Sequence, residues 1–558
     1  MRTEMNALLP VSLLPAEILC KIFAIAIAAA IGPTVLSTHK FHIRPSSGWI
    51  TTIKLSHVCG SWRETALGCP ALWADVSFDR GEHWRTVFLE RSCEAAIDIR
   101  AEILDMDWRI PLAVLSEHLH RVRRLFACVV SQDTLDILSS PAPLLENLDL
   151  VNYVTGPLPP NLLSGNAPRL TTFALTDPPA FPAHPTLYAN ISKFSISCKG
   201  LPSLSPPFQA PSVSDFFSTL QSMSKITYLH LNGCLPAVQD PSWPEHTLHF
   251  PHLSYLDVKG PITSVSGVLH QIRLARACTL RALCDMSDDP LTDARDVTLL
   301  VRALQRTGFF GSSEQKAGDA FVVRALSVHS YVEDTLKVFA WRTPFCVDEC
   351  SALVQQTDPP LLLRLQWPGT IGGQETRHSA VGVLICELLP LDALEVLHLE
   401  SYWFGWPTER WRTLFGRCAK VRSVHSGHVD VSALFRALSP PSELRPPSDG
   451  RANALEVLFP SLSSLSVFNV NFSAPATEGS VETMRDWLRR LFHARRAAGH
   501  PVAKLSVGKS RTVDWAEELR DVVSVTRLQD FRGDVSLEEM QGETNLHEWD
   551  QEWDGHRD

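Results

Sequence analysis

Between residues 14 and 73, apolar side chains recur at helical spacing. Leu14, Ile18, Ile22 and Phe23 fall on one face of a predicted helix that starts near Leu14. Pro15 sits in its first turn, where the missing N–H would have no partner anyway. Gly32-Pro33 breaks the pattern, a polar stretch runs to about Gly48, and a second helical run carries Leu55, Val58, Cys59, Trp62 and Ala66 until Pro70 ends it. Beyond about residue 81 a shorter motif takes over, with apolar residues at positions one, four and six. It is clear at Leu145/Leu148/Leu150, Leu170/Phe173/Leu175, Ile191/Phe194/Ile196, Ile226/Leu229/Leu231, Leu253/Leu256/Val258, Leu394/Leu397/Leu399, Leu462/Leu465/Val467 and Val502/Leu505/Val507. Weaker copies stand at Val122/Leu125, Leu280/Leu283, Val323/Leu326/Val328 and Val421/Val424.

Positions four and six alternate as a strand does and point to one side, whereas positions three and five point to the other. A single unit cannot bury its apolar side, so the motif implies stacking into an array. The first positions Leu145, Leu170, Ile191, Ile226 and Leu253 are 25, 21, 35 and 27 residues apart, which makes the array irregular and its loops unequal. Pro-rich text in 176–211 and 439–448, and the polar run Gly311 to Asp319, mark such loops. The final stretch from Glu538 to Asp558 carries eight acidic residues and one Arg, with Trp549 and Trp553 at helical spacing, and reads as a solvated acidic tail.

Composition narrows the classes. With 558 residues and 45% hydrophobic content the chain can bury more than one ordinary domain, and disorder throughout is excluded. A formal charge of -10, from 51 basic and 61 acidic residues, argues against a nucleic-acid partner. Thirteen scattered cysteines, an odd number, suit reduced core thiols and a cytoplasmic or nuclear setting. The most apolar window, Ile22 to Ile31, is about half the roughly 20 residues that a membrane span needs, so no membrane is expected as partner. Pro15, Glu17 and Lys21 interrupt any signal-peptide pattern, and the sequons at Asn190 and Asn471 then carry no weight.

The block Leu14-Pro15-Ala16-Glu17-Ile18-Leu19 with Ile22-Phe23, then Leu55-Ser56-His57-Val58-Cys59 with Trp62-Arg63, Ala66-Leu67 and Pro70-Ala71-Leu72-Trp73, resembles an F-box and is similar to the large F-box-like families of fungi. Those families usually pair the module with leucine-rich repeats. The resemblance implies an α/β chain: an F-box-like helical domain over 1–80 with an inserted loop at about 28–53, an irregular leucine-rich-repeat solenoid over 81–530 with parallel strands on one face and helices on the other, and the acidic tail over 531–558. It implies docking on the Skp-type adaptor of a cullin-RING ubiquitin ligase through Leu14, Pro15, Ile18, Ile22, Phe23, Val58, Cys59 and Trp62, with an unknown client protein held by the repeats. The chain itself would be no enzyme and need no cofactor. The inserted loop departs from a compact F-box, and among the clear repeats only Cys234 matches the Asn/Cys that closes each turn. A second reading therefore stays open, in which the first helices only cap a repeat scaffold that works without any ligase.

The outward positions three and five offer a client surface. They carry Asn147/Asp149, Lys193, Tyr228/His230, Tyr255/Asp257, His398 and His425, and Tyr402, Trp403 and Phe404 add an aromatic patch. Of these, Tyr228, His230, Tyr255, Asp257, His398, Tyr402 and Trp403 are the expected client-binding residues. Other chemistry is weaker. Gly508-Lys509-Ser510 lacks the glycine five residues earlier that a phosphate loop requires, since Ala503 stands there. His246, His249 and His252, and Cys346 with Cys350, each lack the second half of a zinc site. No Gly-x-Ser-x-Gly, His-Glu-x-x-His or Gly-x-Gly-x-x-Gly motif occurs.

Overall fold

The structure is a computed structural model that describes residues 10–31, 48–77, 81–100, 112–129, 132–152, 158–159, 161–182, 185–198, 208–237, 247–275, 277–310, 321–330, 334–344, 359–368, 374–401, 405–427, 431–440, 457–468, 470–475, 482–508, 519 and 522–527. It is a mixed α/β protein whose strands pair mostly in parallel. The chain forms two compact units, one built on Met1–Pro236 and one on Ala237–Gly542.

The first unit opens with three helices, α1 (Ala16–Ile31), α2 (Gly48–Ser56) and α3 (Gly60–Leu67), and a 3-10 turn at Pro70–Trp73. Alanine-rich text favours α1, and the Pro15 carbonyl accepts its first bonds from the Ile18 and Leu19 amides. Leu19 and Phe23, four residues apart, are buried with Ala66, Leu72 and Trp73. The Trp73 indole N–H donates to the Ala66 carbonyl at 2.8 Å, and its ring packs edge-on against Phe88 at 5.0 Å. Two expectations shift here. The predicted second helix is broken at His57–Cys59 into α2 and α3, and both ends of the expected inserted loop are helical, because α1 runs to Ile31 and α2 begins at Gly48. Residues 32–47 lie outside the described residues.

Seven strands follow in sequence: β1 (Asp75–Ser77), β2 (Ile97–Arg100), β3 (Val122–Val129), β4 (Asn147–Asn152), β5 (Thr172–Thr176), β6 (Lys193–Ser197) and β7 (Tyr228–Asn232). Each pairs in parallel with the next. The motif sets the register. Position four aligns Leu148, Phe173, Phe194 and Leu229, and position six aligns Leu150, Leu175, Ile196 and Leu231, all buried. Each such side chain contributes about 1.5 to 3 kcal/mol when withdrawn from water.

The second unit holds a small parallel pair, β8 (Leu248–Phe250) with β10 (Ile272–Leu274), and a larger sheet. That sheet is built from β9 (Tyr255–Pro261), β11 (Thr279–Asp285), β12 (Ala325–Ser330), β13 (Thr335–Trp341), β14 (Leu361–Gln366), β15 (Val396–Ser401), β16 (Ser423–Gly427), β17 (Ser464–Phe468), β18 (Lys504–Gly508) and β19 (Ser524–Arg527). Its order is β9-β11-β14-β13-β12-β15-β16-β17-β18-β19. Only β13 runs antiparallel to both neighbours, so the expected run of parallel strands is interrupted once among these ten. Again position four aligns: Leu326, Leu397, Val424, Leu465 and Leu505 share one buried row, whereas Ser426 interrupts the position-six row in β16. The helices Ile262–Gln271, Pro290–Arg306, Gln374–Leu388, Thr408–Phe415, Val431–Leu438 and Met484–Ala497 pack in succession, each on the next. Arg377 joins two of them with a forked pair to Asp293 at 2.8 and 2.9 Å, and the Arg417 guanidinium donates to three carbonyls, of Cys386, Glu387 and Leu389, at the end of Gln374–Leu388.

Candidate functional site

Two places depart from the usual partition of apolar inside and polar outside. The first is α1. Ile18, Ile22 and Ile25 follow at i, i+4 and i+7, so they share a stripe, and their exposures are 41%, 42% and 69%. Leu13 is 78% exposed, and Ile50, Val58 and Leu67 are exposed as well. Of the expected adaptor-facing residues, Pro15, Ile18, Ile22 and Val58 are exposed, whereas Leu14, Cys59 and Trp62 are half-buried. Phe23 is a correction: it is 0% exposed, with its ring 4.9 Å from that of Trp62, because it shares with Leu19 a face of α1 about 100° round the helix from the stripe. Cys59 precedes α3 in extended conformation, and its carbonyl accepts from the Arg63 amide at 2.9 Å. The sequence reading missed Leu13 and Ile25, although the i+7 spacing from Ile18 marks the latter.

The second place is a row of polar side chains on the face of the larger sheet opposite the leucines. Register aligns Ser327, His398, His425, Ser466 and Ser506 across β12, β15, β16, β17 and β18, and every one is buried. The next row aligns His329, Glu400 and Gly427. Ser327 Oγ lies within hydrogen-bond distance of His329 Nε2 and, at 2.8 Å, of His398 Nδ1. Glu400 Oε2 lies 3.4 Å from His398 Nε2 and 4.0 Å from His329 Nδ1. The imidazoles stand edge to face: His329 to His398 at 4.9 Å and His398 to His425 at 4.2 Å between centroids. Phe339 at 5.2 Å from His329, and Phe468 at 4.5 Å from His425, close the two ends. Burial, reinforced by Lys337 and His425, lowers the His329 pKa to about 3, and burial beside His425 and His329 also holds His398 well below the usual imidazole range.

Burial removes part of the expected client surface. His398 is 1% exposed, Asp257 and His230 are buried, and Tyr228 and Tyr255 are half-buried. Side chains on neighbouring strands sit about 4.8 Å apart, so the rings of His329, His398 and His425 cover one another. Tyr402, Trp403 and Phe404 lie outside the described residues, as do His246, Cys346, Cys350, Lys509, Ser510 and the acidic tail. His249 and His252 are exposed at and just beyond β8. What stays open is position three of the first unit, where Arg124, Asn147, Thr172, Lys193 and Tyr228 align across β3 to β7. Arg124 is exposed and the other four are half-buried.

A further buried pair joins Ser330 Oγ to His378 Nδ1 at 2.8 Å, under the Trp367 ring at 4.4 Å, and burial lowers the His378 pKa to about 4. Burial pushes the Cys128, Cys386 and Cys418 thiols up to about 12, which holds these three in the protonated form. No helix among the described residues is long and apolar enough to cross a membrane. Neither a protein-family model nor a curated protein matches this sequence.

Proposed function

We propose that the chain is a substrate-recognition adaptor of a Skp-cullin-F-box type ubiquitin ligase, with α1 to α3 as an F-box-like handle and the strand-helix array as an irregular leucine-rich-repeat grip. The carrying observation is the stripe of Ile18, Ile22 and Ile25, left in solvent on a helix whose other face is already satisfied by Leu19 and Phe23. An exposed apolar stripe of that kind is costly in an isolated protein and suits a partner that covers it. The client would meet the row from Arg124 to Tyr228, where charged, amide and aromatic side chains stand in register.

A second reading has its own support. The buried Trp73 ring packs on buried Phe88 of the helix Glu82–Arg91, which lies between β1 and β2, as a cap on a ligase-independent scaffold would require. Co-purification with a Skp-type adaptor separates the two. The wild-type chain is expected to retain the adaptor, and Ile18→Asp with Ile22→Asp to lose at least about a hundredfold in affinity, since two anchors of roughly 1.5 to 3 kcal/mol each are removed. Equal retention by the double variant removes the claim about the docking face. No retention by the wild type removes the ligase reading and leaves the scaffold.

A further inference from the structure

We propose that His329, His398 and Glu400 form a binding site for a divalent transition-metal ion of the zinc type. The inference is independent of the ligase reading and rests on the second unit alone. One donor atom from each of the three residues lies within 4.8 Å of the other two. Two imidazole nitrogens and a carboxylate oxygen are a donor set that zinc accepts, with three protein ligands leaving a fourth position for water or another ligand.

The surroundings favour this set. Ser327 Oγ meets His329 through Nε2 and His398 through Nδ1, so one hydroxyl oxygen can accept from both rings at once. In that arrangement the lone pairs of His329 Nδ1 and His398 Nε2 face Glu400 Oε2, at 4.0 and 3.4 Å. Metal-ligating histidines typically donate their second ring N–H to an oxygen acceptor that fixes tautomer and orientation. Here a single serine stands where it can accept from both. Donors around a tetrahedral zinc at 2.0 to 2.2 Å stand about 3.4 Å apart. The His398 to Glu400 separation already meets this, the His329 to Glu400 separation has to close by roughly half an ångström, and the two imidazole donors, within 4.8 Å of each other, close together around the ion.

The backbone makes room for the carboxylate. Gly427 is the register neighbour of Glu400, and a Cβ there would stand 3.1 Å from Glu400 Cγ. The cluster sits on adjacent strands, the rigid part of the sheet, and the Phe339 and Phe468 rings flank it. Glu400 is also partly exposed, which leaves the ion a route in.

The test uses the full chain, stripped with a chelator and titrated with zinc, then with cobalt for its visible spectrum. The expected result is one zinc per chain and a cobalt complex without thiolate charge-transfer bands, since the donors are nitrogen and oxygen. Glu400→Gln is expected to weaken binding at least tenfold while the circular dichroism of the metal-free protein is unchanged; Ser327→Ala weakens it less, as a positioning residue. His398→Gln removes binding, and if that variant fails to fold, Glu400→Gln alone decides. Absence of stoichiometric zinc in the wild type, equal affinity in Glu400→Gln, or a thiolate spectrum overturns the proposal and leaves a purely hydrogen-bonded cluster.

Discussion

The stripe on α1 and the row on the larger sheet invert the ordinary partition in opposite senses. On α1, isoleucines face water; on the sheet, histidines and serines are sealed from it. Both arrangements cost free energy in the isolated chain, but they fail differently. Exposed isoleucine forfeits a gain that a partner can restore from outside. Buried imidazole must be satisfied from within, by neighbours held in register or by an ion. The difference teaches where each proposal is tested: the stripe against a macromolecule added from outside, the row against a small ion that reaches it within the sheet.

The sharpest break of this contrast compares two faces of one helix. Phe23→Ala empties a fully buried site beside Trp62 and is expected to cost roughly 3 to 5 kcal/mol. Ile18→Ala, five residues earlier on the exposed face, is expected to stay within about 0.5 kcal/mol. Urea unfolding followed by tryptophan fluorescence reads both, since Trp62 and Trp73 lie in the same module. Comparable losses in the two variants would mean that the stripe is packed after all.

Acid sharpens the other half. His329, at about 3, and His378, at about 4, stay neutral in the fold, and burial lowers His398 as well, while in the unfolded chain each titrates near 6.5. Between those values the unfolded state binds protons that the folded state refuses. Their contribution is therefore present above about pH 6.5 and is lost as pH falls from there toward 4, at about 1.4 kcal/mol per pH unit for each such histidine. Denaturation midpoints of the metal-free protein from pH 7 to pH 5 should fall accordingly, and His378→Gln should remove one proton's worth of slope. A midpoint that rises on acidification would instead mark a charged imidazole paired with Glu400.

How much of this was legible beforehand depends on distance along the chain. The one-four-six motif is local, so strands such as β4 to β7 and the alignment of their leucines could be read from the text. The strands β13 and β14 escaped, because β13 (TLKVFAW) and β14 (LLLRLQ) lack the motif's spacing and pair through an antiparallel strand. The exposed stripe was half legible. Helical spacing marks Ile18 and Ile22, but hydropathy alone cannot say which side of an apolar helix faces the core, and Phe23 belongs to the core side. The histidine cluster was not legible as a cluster. His329 and His398 stand far apart in sequence with no ligand-like spacing, and only the pairing of β12 with β15 brings Ser327 beside His398 and His329 beside Glu400. Position five was correctly placed on the face away from the leucines; its burial depends on neighbours that a single strand does not reveal.

The mildest perturbation separates fold from site most cleanly. Gly427 lies within β16 in a backbone conformation open to any residue, so alanine there removes unfolded-state freedom and strains no dihedral. Its Cβ would press on Glu400 Cγ at 3.1 Å and Cδ at 3.6 Å, and the partly exposed carboxylate can yield by a few tenths of an ångström toward solvent. The two effects offset, so Gly427→Ala is expected to change stability by less than about 1 kcal/mol. The displaced oxygen, however, moves off its 3.4 Å position against His398 Nε2. Zinc affinity should then fall roughly tenfold at constant thermal midpoint, as losses in the shell around a metal usually do. A thermal midpoint that drops sharply would show that the row is held by packing at Gly427, and an unchanged zinc titration would show that Glu400 is no ligand.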